Sequence, residues 1–134
     1  MAMPPLPDEE TQRLLQFLYV CPVGLISFRD DGTIERINPA AVNLLAAVAD
    51  LLDHRNAFTM LHELWPELRD TVREGAGRVG TLIDNHRIRS LPGRRQQWLA
   101  LSVVCVAADS NMLTLSDITS AVLAEQQAEH RHTF

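Results

Sequence analysis

The sequence predicts an α+β domain: a five-stranded antiparallel sheet with helices on one face. Three observations support this. Residues 24–37, GLISFRDDGTIERI, read as two short strands reversed at an Asp-Gly pair. Residues 39–74 carry helical apolar spacing, broken at Pro66. Residues 81–117 hold three more strand-like runs, parted by Pro92-Gly93 and by Asp109-Ser110-Asn111.

The elements follow in order. Residues 1–7 are expected to be a disordered leader. Asp8 is a candidate N-cap, with Glu9 and Glu10 in the first turn, where the helix dipole favours anions. Leu14, Phe17, Leu18 and Cys21 then recur at helical spacing. Gly24 to Phe28 is a short apolar strand. Thr33 to Ile37 is its partner, with Ile34 and Arg36 expected on one face and Glu35 and Ile37 on the other. Asn38 suits an N-cap and Pro39 the first helical position, where a missing N–H costs nothing. The Ala-rich helix they open is expected to run through residues 40–52.

Pro66 cannot sit in a helix interior without losing a hydrogen bond. A short helix is therefore expected through Phe58, Leu61 and Leu64, and a second from near Pro66 carrying Leu68 and Val72. Gly75-Ala76-Gly77-Arg78-Val79-Gly80 matches the spacing of a dinucleotide fingerprint, but a helix precedes it and a strand follows. That order is the reverse of what pyrophosphate binding needs, so these glycines read as a helix end and a loop. The last strands are expected at about 81–89, 97–107 and 112–117. Residues 120–134 are helix-forming, with Ala121, Ala124 and Ala128 along one stripe.

Gly24, Leu25, Asp30 or Asp31, Gly32, Ile34, Asn38, Pro39, Ala40, Ala41 and Leu44 together resemble the opening of a PAS domain. Trp98-Leu99-Ala100-Leu101-Ser102-Val103 resembles a later PAS strand, and Asp117-Ile118-Thr119 resembles the PAS ending. The resemblance spans residues 12–120 and implies the strand order 2-1-5-4-3. It implies a leader and helix start at 1–10, a sensory domain at 11–119 and an outgoing signalling helix at 120–134. The N-terminal helix would join a homodimer interface through Leu14, Phe17 and Leu18, or cover its own sheet. Asp117, Ile118 and Thr119 would relay the signal to an effector domain of a longer protein. Residues 17–25 and Pro66-Glu67-Leu68-Arg69 resemble PAS domains attached to diguanylate cyclases, with a histidine kinase as the alternative output.

Composition narrows the rest. The 134 residues suit one domain, and the net charge of −5 offers no broad basic field for nucleic acid. All twelve cations are arginines. No apolar run approaches the roughly 20 residues of a membrane span, and no signal peptide pattern is present, so a cytoplasmic placement is expected. Cys21 and Cys105 read as buried thiols.

Candidate sites are few. The helical half would wall a pocket for a small apolar ligand lined by Phe28, Phe58, Leu61, Val72, Ile83 and Leu101, residues that equally suit a filled core. The five histidines lack metal-site spacing, so no metal is expected; His54 or His62 would serve only if haem were bound, as in haem-binding PAS sensors. The resemblance does not extend to the photoreactive flavin-binding subclass, whose cysteine motif is missing from residues 38–75. No cofactor is expected in the purified fragment, neither haem nor flavin. Arg87, Arg89, Arg94 and Arg95 share one hairpin, suited to binding anions or, preferably, to discouraging edge pairing. No catalytic motif is present, so enzyme activity is expected of the parent protein and not of this chain. A ligand-free interaction adaptor is a further alternative.

Overall fold

The computed structural model describes residues 22–50 and 55–132, the last three as backbone only. The leader, the expected N-terminal helix with Leu14, Phe17, Leu18 and Cys21, and His54 lie outside the described residues. The elements are β1 (Gly24–Phe28), β2 (Ile34–Ile37), α1 (Pro39–Val48), α2 (Ala57–Met60), α3 (Leu68–Gly75), β3 (Gly80–Arg89), β4 (Trp98–Ala107), β5 (Ser110–Asp117) and α4 (Thr119–His132). The five strands form one sheet in the order β2-β1-β5-β4-β3, with every neighbouring pair antiparallel. This is the 2-1-5-4-3 order that the PAS resemblance implies.

Strand alternation builds the core. Ile26 and Phe28 of β1, Leu99, Leu101 and Val103 of β4, and Leu113 and Leu115 of β5 are all buried. They meet Leu45 and Val48 of α1, Leu61 after α2, and Leu68 and Val72 of α3 in one cluster. Each such side chain contributes about 1.5–3 kcal/mol through burial, so this layer dominates stability. Gly24 lets α1 lie this close to the sheet: a Cβ there would come within 2.8 Å of the Ala41 Cα.

The β2 faces differ from the expected alternation. Ser27 pairs with Arg36, but Phe28 pairs with Ile34, so Glu35 is an extra residue in the ladder. This bulge brings Ile34 and Ile37 to the same side, where both pack against the core. The strand thus follows burial of two isoleucines rather than simple period-two geometry.

Helix ends also differ. α1 stops at Val48, short of residue 52, and Ala49 is extended. The β3–β4 loop takes up the carbonyls of its last turn: Arg94 Nη1 donates to Ala46 O at 2.9 Å and Leu91 N to Val48 O at 3.0 Å. Arg94 also pairs with Asp50. These partners satisfy groups that a helix end leaves open. α2 ends at Met60, before Leu61 and Leu64, and α3 begins at Leu68, leaving Pro66 in the turn between them. β5 starts at Ser110 rather than Met112 because Ala108-Asp109 alone make the reversal, with Asp109 at φ 56°. Around Gly75 to Gly80 a helix does precede and a strand does follow.

Candidate functional site

The six residues expected to line a ligand pocket do come together, as packed interior. Phe28, Leu61, Val72 and Leu101 are fully buried, Phe58 nearly so, and Ile83 packs against the same cluster half-buried. Phe58 meets Phe28 edge-to-face at 6.0 Å between ring centres. The Arg69 guanidinium stands 5.4 Å from the Phe58 ring centre. Clefts lie outside this core. One of about 480 Å³ is lined by Ala49, Asp50, Phe58, Met60, His62, Glu63, Pro66 and Arg69, among others. Another, of about 310 Å³, lies beyond Phe58 and Arg69 against Asp30, Asp31 and Arg73. His62 is exposed at the first cleft, apart from the core. Among the described residues, no three His, Cys, Asp or Glu side chains gather as a metal site.

The second group of site residues lies where β5 becomes α4. Asp117 Oδ1 accepts the Thr119 N–H at 2.9 Å, the first free donor of the helix, and the Thr119 hydroxyl at 2.6 Å. The same hydroxyl oxygen accepts the Trp98 N–H at 3.0 Å. Ile118 N in turn donates to Trp98 O at 3.0 Å. The junction of Asp117, Ile118 and Thr119 is therefore tied to the first residue of β4 by backbone and side chain together.

Farther along α4, Glu125 receives both terminal nitrogens of Arg87 on β3, at 2.9 and 3.0 Å. The Arg87 guanidinium holds the Glu125 carboxyl below its ordinary range. Arg89 lies 5.9 Å from the Trp98 ring centre. Arg87, Arg89 and Arg94 of the hairpin cluster are thus each engaged within the domain. Sequence reasoning singled out Arg87 but not Glu125, which no local pattern marks as its partner. It also missed the stack of Trp65 on His86, whose ring centres are 4.2 Å apart with planes inclined by 17°.

No protein-family model matches the sequence, and no curated protein matches it. Solved structures do. An RNA-binding light-oxygen-voltage receptor superposes with a TM-score of 0.65 at 17% identity, covering 100% of this chain and 42% of the receptor. This chain thus spans less than half of that protein's length. The PAS domain of BvgS from Bordetella pertussis gives 0.58 at 11% identity, covering 95% of this chain and 100% of that one. The PAS domain of an HTR-like protein from Haloarcula marismortui gives 0.56 at 16% identity, covering 82% and 98%. The chain has the PAS fold. Within the PAS fold, Asp117-Ile118-Thr119 stands at the end of the last strand, and α4 follows it directly. No helix among the described residues of this PAS fold is long and apolar enough to cross a membrane.

Proposed function

We propose that this chain is a cytoplasmic sensory and dimerisation domain of a signal-transduction protein. It relays a small-molecule or packing signal through Asp117, Ile118 and Thr119 into α4, and so to a diguanylate cyclase or histidine kinase effector. The chain itself performs no catalysis. Two copies pair through the segment bearing Leu14, Phe17 and Leu18 together with the outgoing helix.

The observation that supports this reading is the position of the Thr119 hydroxyl, between Asp117 Oδ1 and the Trp98 N–H. In this reading the helix has a docked and a released state, and packing changes that favour one of them shift the population between the two. The test compares basal and stimulated output of a protein carrying this domain ahead of its effector, as wild type and as Asp117→Ala. The expected result is a folded variant whose stimulated-to-basal ratio collapses toward one. A ratio equal to wild type reduces Asp117 to a helix cap and ends the relay reading.

A second reading, a ligand-free interaction adaptor, is favoured by the filled core around Phe28, Leu61 and Leu101. The native mass and absorption spectrum of the purified protein separate the two. Bound small molecule supports the sensor, and a bare dimer supports the adaptor.

A further inference from the structure

We infer that β3 couples the helical layer to the outgoing helix through two adjacent residues, His86 and Arg87, which face opposite sides of the sheet. The inference rests on the reading of α4 as the output element and names how that element is regulated from the far side of the sheet.

The geometry begins on the helical side. His86 pairs in register with Leu101, a fully buried core residue, so its imidazole points toward the helices. There it stacks on Trp65, which is 2% exposed and stands between α2 and α3. Helix α3 bears on the same strand: a Cβ at its last residue, Gly75, would lie 2.3 Å from Leu82 Cδ2. Motion of the α2–α3 layer therefore presses on β3 at Leu82 and at His86.

The next residue reports on the other side. Arg87 pairs with Ala100, and successive strand residues point to opposite faces, so its guanidinium stands behind the sheet. There it grips Glu125 with both terminal nitrogens. Paired hydrogen bonds of this fork geometry fix orientation as well as distance. A tilt of β3 that follows Trp65 thus changes the bidentate grip on α4.

The strand is built to tilt just before this pair. Between Ile83 and His86 the ladder with β4 gains an extra residue, and Asn85 has φ 54°. The Asn85 N–H donates to the Ser102 hydroxyl at 3.1 Å, and that hydroxyl donates to Asp84 Oδ1 at 3.0 Å. A side-chain hydroxyl takes the place of a ladder partner there. Among the described strands, β3 is also an outermost one, paired with β4 alone.

Amide hydrogen exchange of α4 in the intact chain tests this. Arg87→Gln is expected to speed exchange across Val122 to Glu125 several-fold while the amides of Leu101 and Leu113 keep wild-type protection. His86→Ala is expected to speed the same α4 amides, and to add nothing further once Arg87→Gln is present. His86→Phe, which keeps a ring for Trp65, is expected to behave as wild type. An α4 unaffected by His86→Ala, or an equal His86→Ala effect with and without Arg87, overturns the coupling. Measured output separates this from failure of the relay itself. Coupled exchange with unchanged output keeps the β3 link and removes the relay. Uncoupled exchange alongside an output changed by Asp117→Ala removes the β3 link alone.

Discussion

Asn38 caps α1 and binds β1 with the same side chain: its Oδ1 accepts the Leu25 N–H at 2.9 Å as well as the Ala41 N–H at 3.0 Å. Its Nδ2 donates to Val23 O at 3.0 Å, and its own N–H donates to Leu25 O at 3.1 Å. The Asn-Pro step is therefore a fastener between the first helix and the strand beneath it, with Pro39 supplying a helical start that needs no donor.

Replacing Asn38 tests the fastener. Asn38→Ala removes the cap and strands part-buried groups of Leu25 and Val23, for an expected loss of roughly 2–4 kcal/mol. Asn38→Asp keeps both acceptor contacts and loses only the donor to Val23, so it should cost less than half as much. Urea denaturation midpoints of the two variants against wild type measure the difference. Equal losses would mean that the acceptor contacts contribute nothing.

Gly24 offers a steric test. A methyl group there meets backbone at Ala41, which cannot swing aside, so Gly24→Ala should destabilise by about 1–3 kcal/mol through overpacking. Thermal melting checks this. A melting temperature equal to wild type would show that α1 can retreat at no cost.

Acid should loosen one end of the sheet. Asp109 accepts the Asp30 N–H at 2.8 Å and pairs with Arg29 at 2.9 Å, joining the β1–β2 and β4–β5 turns. The Asp30 N–H first, and Arg29 second, hold its carboxyl below the ordinary aspartate value of 3.8. A depressed folded value means that the contact stabilises fully above 3.8 and is lost as pH falls through the lower folded value. Amide exchange at residues 30–33 should therefore rise in that acidic window in wild type, while Asp109→Asn shows the raised exchange already at pH 7. An identical acid response in both proteins would defeat this assignment.

Thr119→Val removes the hydroxyl with little change of shape. The Trp98 N–H loses its acceptor, at an expected local cost of about 1–3 kcal/mol. Amides in the first turn of α4 should exchange faster, while Leu113 and Leu115 in β5 retain protection. Unchanged exchange at the helix start would show that Asp117 and Ile118 hold the junction unaided.

Local chemistry made much of the fold legible. The Asp-Gly pair, the Asn38 cap and the Pro66 break each act within a few residues, so the hairpin, α1 and the α2–α3 division could be read from neighbours in sequence. What escaped depends on distant partners. The end of α1 is set by Leu91 and Arg94, more than 40 residues away in the chain, and the bulge at Glu35 by the joint burial of Ile34 and Ile37. The six apolar residues of the expected pocket illustrate a different limit. Their spacing says that they face inward, but the same spacing serves a cavity wall and a filled core. Distinguishing the two takes the shapes that meet them, such as Phe58 set edge-on to Phe28. The Arg87–Glu125 and Trp65–His86 contacts have no sequence signature, because each joins elements whose adjacency only the assembled fold creates.

The extra residue at Asp84–Asn85 also governs how molecules of this protein meet one another when crowded. A foreign strand laid along β3 would find a ladder thrown out of step partway and arginine side chains at 87 and 89. The opposite edge, β2, has four residues and a bulge of its own. Among the described strands, neither border offers a long, even template for strand-by-strand growth into fibrils. Contacts between copies of this chain would then fall on its faces and helices rather than on these two strand edges.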